Sequence, residues 1–316
     1  MPTRRVSPLT QTVLRLDLNE KNKAFSLVVI AALCAVCLSA CGLSGKLPVD
    51  MPQASGQGET QTQSENLVVH YLDVGQGDSE FIELPNGETM LIDAGETDKG
   101  ETVVNDISAL GCNKITYLVA THPHSDHIGG MPAVLDAFDV ANAYLPNASS
   151  SSDIYAEFLD KLDAEGCNVY EAKNDVSVIQ TESLSAYFVA PCGTDYKNLN
   201  NYSAVLKLVY GETSFLFTGD AQSQSEKEIT ADVSANVVKV GHHGSKTSSS
   251  QAFVSAVSPE YAVIEVGKDN SYGHPNAGVI ERWQNAGAEV LRTDLNGSIT
   301  FTSDGSNISY TCEKER

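Results

Sequence analysis

Between residues 67 and 312 the spacing of apolar positions switches repeatedly between a two-residue and a helical period. "NLVVHYLDVGQGDSEFIEL" alternates apolar and polar positions around a "GQG" turn, and "PNG" leads into "ETMLIDAG", which predicts three strands joined by tight turns. Residues 101–110, "ETVVNDISAL", have helical spacing and stop at Gly111, after which "KITYLVAT" reads as a buried strand. "MPAVLDAF" predicts a helix with Pro132 in its first turn, where a missing N–H is tolerated. "IYAEFLDKLDAEG" predicts another, followed by shorter strands through "LSAYFVAP". Further on, "SAVLKLVYGETSFLFTGDA" predicts a hairpin around "GET", while "ANVVKVGHHGS" and "EYAVIEVG" are buried strands. "AGVIERWQNAG" is a helix and "GSITFTSDGSNISYTC" a closing edge hairpin. Two strand-rich halves, each with helices, predict an α/β fold of two sheets packed face to face with helices outside.

The first 66 residues follow a different pattern. Arg4, Arg5, Arg15, Lys21 and Lys23 precede an apolar run, Phe25 to Leu38, that ends in "LSAC". The run is shorter than the ~20 apolar residues of a membrane span and reads as an export signal over residues 1–40. Leu38 to Cys41 resemble the lipobox of bacterial lipoproteins, which implies a lipid on Cys41 and an extracytoplasmic protein anchored to the cell membrane. Residues 41–66 offer almost nothing to bury and predict a flexible tether, so that the folded domain occupies 67–316.

Without residues 1–40 the chain has 15 Lys and Arg against 39 Asp and Glu, a formal charge of −24. Such a surface repels polyanions at long range unless a local positive charge overcomes it. Cys112, Cys167, Cys192 and Cys312 remain, an even number in a compartment that permits disulfides, and their pairing stays open.

The chemistry concentrates in "ATHPHSDHIGG", Ala120 to Gly130. His122 and His124 lie two apart, so in an extended segment their rings point the same way and can share one ion. Pro123 keeps the residue before it out of the helical region. Asp126 and His127 follow as the chain turns and can face a second ion. Nitrogen with carboxylate donors suits zinc, with manganese or iron as alternatives.

His122, His124, Asp126 and His127 form an H-x-H-x-D-H element that resembles the hallmark of the metallo-β-lactamase superfamily, and the resemblance implies a four-layer αββα sandwich. Asp93 in "LIDAG" resembles the structural aspartate ending an early strand, and Asp220 in "FTGDA" the carboxylate that bridges two divalent ions. The same likeness implies His274 in "SYGHPN" as the last ligand, beside Asp126 and His127. His242 and His243 are then candidates for holding phosphate or protonating a leaving group, with ligation by one of them as the alternative and Ser245 and Lys246 alongside. Asp126 is also carried over as a catalytic residue.

One expected histidine is missing, for none lies between His127 and His242. Asn201 in "NLNNYSAVL", or a water, is expected to complete the first site. With "HYLDVGQGDSEFI", "VGHHGSKTS" and "YGHPN", the chain resembles the ComEC-type competence hydrolase domain as a standalone lipoprotein. That implies a two-metal phosphodiesterase or nuclease. An esterase like the phosphorylcholine esterases, acting on an envelope polymer, and a non-catalytic accessory module are the alternatives.

Overall fold

A computed structural model describes residues 65–314. The expected export signal, Cys41 and nearly all of the tether lie outside the described residues. The chain first lays down β1 (Leu67–Tyr71), β2 (Glu80–Glu83), β3 (Thr89–Ile92), β4 (Lys114–Val119), β5 (Asp139–Leu145) and β6 (Asn168–Glu171). It then builds a second sheet from β7 (Ser177–Gln180), β8 (Leu184–Ala190), β9 (Val205–Tyr210), β10 (Thr213–Phe217), β11 (Val237–Lys239), β12 (Tyr261–Ile264) and β13 (Glu289–Arg292). Finally β14 (Ile299–Ser303) and β15 (Ile308–Cys312) return to the first sheet, β14 pairing with β1 and β15 forming the edge. Eight strands make the first sheet and seven the second.

Helices α1 (Gly100–Ala109), α2 (Ser125–Ile128), α3 (Met131–Ala137) and α4 (Asp153–Glu165) connect the parallel strands β3 to β6. On the other sheet, α5 (Ser223–Glu228), α6 (Gln251–Val257) and α7 (Ala277–Asn285) connect β10 to β13, also parallel. Between β13 and β14 lies α8 (Thr293–Asn296).

Three apolar layers explain this arrangement. Inward-facing residues of both sheets, among them Val69, Ile82, Phe188, Phe215 and Phe301, form the central core. The outer face of the first sheet packs through Phe81, Leu91 and Leu118 on Val103, Val134 and Phe158 of the helices. Val238 and Ile264 of the second sheet pack on Val254, Val279 and Trp283. Val279 and Trp283 lie four apart on α7, so one helical stripe delivers both. Full burial of side chains of this kind is worth about 1.5–3 kcal/mol each. The result is the αββα four-layer sandwich expected from the sequence.

Each predicted strand and helix recurs, with β11 and β12 shorter than the predicted runs, while β5, β13 and the short helices α2, α5, α6 and α8 add to the predicted set. In β5, "DVANAYL", Asn142 breaks the apolar run, and α6 is only seven residues long and half polar at its start. Among the described residues no disulfide joins the four cysteines, and no helix is long and apolar enough to cross a membrane.

Candidate dinuclear metal centre

Parallel strands of both sheets end at one rim, and the loops leaving them build a polar cleft of about 330 Å³. Three strand ends supply it: β4 delivers Ala120 to Gly130, β10 delivers Asp220, and β11 delivers His242 and His243. The loop from β1 to β2 packs beneath. There Gly77, at φ +143°, lies so close to the Asp126 carbonyl that a Cβ would sit 2.4 Å from it, and Asp78 N donates to the same oxygen at 3.2 Å. The tight "GQG" turn therefore seats the first turn of α2.

Asp220 stands between two sets of nitrogens. Its Oδ2 lies 3.9 Å from His122 Nε2 and 3.5 Å from His242 Nε2, while its Oδ1 lies 3.4 Å from His127 Nε2 and 3.5 Å from His243 Nε2. Donor atoms of His122, His124 and Asp220 all lie within 4.8 Å of one another, as do those of Asp126, His127 and His243. His122 Nε2 approaches His124 Nδ1 at 3.0 Å, and His243 Nε2 approaches Asp126 Oδ2 at 3.2 Å. Two donor clusters thus sit on either side of one carboxylate.

The ring orientations have identifiable causes. His127 Nδ1 faces Asp93 Oδ2 at 2.7 Å, and Asp93 itself accepts from Thr121 N and Thr121 Oγ1. His243 Nδ1 faces the Glu265 carbonyl at 3.0 Å and Asp78 Oδ1 at 3.2 Å. A partner on Nδ1 fixes each tautomer and turns Nε2 into the site, the usual arrangement behind metal-ligating histidines.

These residues fit divalent cations. His127 Nε2 and Asp220 Oδ1 are buried without a hydrogen-bond partner, which is costly unless a further group satisfies them. Charge points the same way. Burial opposes ionisation of Asp78, Asp126 and Asp220, yet their pKa values are lowered, Asp78 first by Lys239, Asp126 first by His127 and Asp220 first by His243. Burial likewise opposes a charge on His243, but Asp220 and Asp78 push it up to about 10, and acidic neighbours raise His127. Among the described residues lining this region only Lys239 is a permanent cation, so the centre carries an excess of negative charge that positive ions relieve.

Three sequence expectations need correction. His243, not His274, joins Asp126 and His127, because the chain turns back through left-handed backbone at His242 and His243, φ 54° and 51°, and drives the second ring inward. His274 lines the cleft beyond them, its ring 6.4 Å from His243 and 5.5 Å from His242. Asn201 does not reach the first set, since its Oδ1 accepts from Ser225 N at 3.2 Å. The neighbouring Asn200 faces the cleft, 3.2 Å from His242 Nε2. Ser245 is buried against Thr247, 3.0 Å away, and Lys246 is exposed; neither lines the cleft.

Sequence reasoning missed the support beneath the site. Asp78 and Lys239 form a fully buried ion pair, and Lys239 Nζ also donates to the Gly219 carbonyl at 2.9 Å, fixing the turn that carries Asp220. Glu265 accepts from Ser79 N at 3.0 Å and hydrogen-bonds Glu80. The available signal was one charge inside each apolar strand run, "VVKVG" and "AVIEVG", which no buried strand tolerates without a partner.

The comparisons with known proteins agree with this geometry. The family profile described as "Metallo-beta-lactamase superfamily" matches residues 72–267. ComE operon protein 3 of Bacillus subtilis (strain 168) is 33% identical over 253 residues, 74% of this chain and 32% of that protein. Competence protein ComA of Neisseria gonorrhoeae is 35% identical over 239 residues, 72% of this chain and 31% of that protein. The match therefore spans about a third of these relatives' length. Among solved structures, CmlA, a diiron beta-hydroxylase from Streptomyces venezuelae, shares the fold with a TM-score of 0.51 at 16% identity, over 77% of this chain and 54% of that one. With its H-x-H-x-D-H element, four-layer sandwich and profile match in agreement, the chain belongs to the metallo-β-lactamase superfamily.

Proposed function

We propose that the protein is an exported, membrane-anchored, dinuclear-metal phosphodiesterase, a nuclease in the manner of the ComEC-type domain. The observation that carries this reading is Asp220, whose two oxygens face two separate nitrogen sets in one cleft. His122, His124 and Asp220 would hold one ion, and Asp126, His127, His243 and Asp220 the other, zinc or manganese by their donor chemistry. Two such ions, when bound, lower the pKa of a water and stabilise charge developing on a phosphoryl oxygen.

The chain's own groups supply the rest. His242 sits on the cleft wall, its Nδ1 3.1 Å from Thr247 Oγ1 and its Nε2 3.2 Å from Asn200 Nδ2. Burial lowers its pKa despite Asp220. A bound phosphodiester anion raises it again, so the imidazolium forms in the complex and its Nε2 proton can go to the departing alkoxide. In the neutral ring Nε2 can accept from Asn200 Nδ2, a contact that the protonated Nε2 gives up as it turns to the leaving group. Asp93 and Asp78 keep His127 and His243 from rotating, which preserves the spacing on which the chemistry depends.

Export and anchoring through lipidated Cys41 rest on "LSAC" and the run before it. Metabolic labelling with a fatty acid tests the anchor, and a Cys41→Ala protein still labelled and still in the membrane would sink it. A second reading, an esterase removing a small phosphorylated group from an envelope polymer, is favoured by the charge of −24. Turnover by the chain from residue 42 with zinc or manganese, on DNA and small phosphodiesters in parallel, separates the two. No turnover of either with any metal favours a non-catalytic accessory module.

A further inference from the structure

Tyr272 stands at the mouth of the metal cleft with 69% of its surface exposed. Single exposed apolar side chains are ordinary, and Leu110 and Leu295 are exposed here as well. Tyr272 differs in how it is held. The Asn270 side chain fixes its loop, Oδ1 accepting from Tyr272 N and His274 N at 3.1 Å each, and Nδ2 donating to the carbonyls of Gly267 at 3.0 Å and His274 at 2.6 Å. Gln76 Oε1 accepts from Gly267 N at 3.2 Å, tying the same loop to the turn beneath the metal site. One face of the Tyr272 ring lies near-parallel to His274, with centroids 5.8 Å apart and planes at 21°, and the ring's exposure leaves room on its other side. His274 in turn sits 6.4 Å from His243. A rigid aromatic surface therefore leads from solvent to the donor cluster.

We propose that Tyr272, backed by His274, is a stacking platform for a nucleobase of single-stranded DNA whose phosphodiester enters the metal cleft. This rests on the phosphodiesterase reading and names its substrate class more narrowly. The physical reason is charge. At −24 over residues 41–316, with Glu96 on the cleft wall, the chain cannot collect a strand through many phosphate contacts, so affinity must come from an uncharged contact close to the ions. Base stacking on one aromatic ring meets that need without sequence preference. A duplex keeps its bases stacked on one another, so the platform selects strands or frayed ends. A quaternary ammonium group is the poorer fit, because such groups are held by aromatic cages and Tyr272 offers one ring.

The test uses the full-length, zinc-loaded protein in detergent and a fluorescent four-nucleotide DNA strand with phosphorothioate linkages that resist hydrolysis. Its affinity is compared with that of the same strand made abasic. Wild type should bind the base-bearing strand about 10-fold or more tighter, Tyr272→Ala should bring the ratio close to one, and Tyr272→Phe should retain it. A ratio near one in wild type, or a ratio kept in Tyr272→Ala, overturns the platform. Competition by phosphocholine that is lost in Tyr272→Ala, with no base dependence, assigns the ring to a cationic head group instead. Base-dependent binding without hydrolysis of any phosphodiester leaves the platform standing and overturns the phosphodiesterase reading alone.

Discussion

At the level of single residues, the exchange between His243 and His274 shows what spacing can and cannot tell. Both histidines follow Asp220 at plausible distances, and only the left-handed backbone at His242 and His243 decides which ring turns inward. That conformation is unusual for a residue with a Cβ and left no mark in the pattern of apolar positions. The H-x-H-x-D-H element was legible because its chemistry is local, whereas a ligand contributed by a distant turn is not. We expect His243→Ala to lower the metal content of the purified protein by one ion and His274→Ala to keep it near wild type. Elemental analysis of both variants settles the matter, and the opposite pattern would restore His274 as the ligand. Because Asp220 and Asp78 raise the pKa of His243 to about 10, metal uptake must displace a proton. Zinc affinity should therefore increase from pH 6 to pH 8, which calorimetry in two buffers can check.

At the level of elements, the support beneath the site depends on one buried charge at the end of each of two strands. Lys239 ends β11 and Glu265 directly follows β12, both fully buried. The strands themselves were legible from their apolar runs, but which loop each charge would meet depends on how the two halves of the chain pack. β5 stayed hidden for a related reason, since its polar Asn142 is accommodated by a hydrogen bond to the Thr116 carbonyl that only strand pairing provides. Removing one partner of a buried pair leaves the other charge uncompensated, so Lys239→Met should destabilise the fold by about 3–5 kcal/mol. Denaturant unfolding measures this, and a loss below about 1 kcal/mol would mean that Asp78 is neutralised in another way. Glu265 adds a pH dependence. Burial, then Asp78, pushes it from 4.5 up to about 8, so the folded form holds a proton that the unfolded form releases. Its contribution to stability is complete below about 4.5 and is lost as pH rises towards about 8. Glu265→Gln should remove that loss, so its midpoint gains on wild type between pH 5 and pH 8. Parallel midpoint curves for the two proteins would contradict the shift.

On the scale of the whole molecule, charge separates the competing substrates. The two-sheet architecture could be read from strand and helix periods alone, but fold leaves the substrate open, and what limits it is an acidic surface of −24 around a cleft of about 330 Å³. Lys246, expected alongside His242 and His243, lies outside the cleft wall, so on the proposed reading the metal ions would be the main attraction for phosphate. A strand engaged only there neutralises very few phosphates. Each contributes about 0.7 to the logarithmic salt slope for single strands and about 0.9 for duplexes, so DNA turnover should follow a slope of about −2 or shallower. A small phosphodiester, which never lies along the acidic surface, should be hydrolysed with less salt dependence still. Turnover of both substrates from ~50 to ~200 mM salt makes the comparison. A DNA slope near −6 would require an extended basic track and would contradict the reading that the acidic composition confines DNA contact to the cleft.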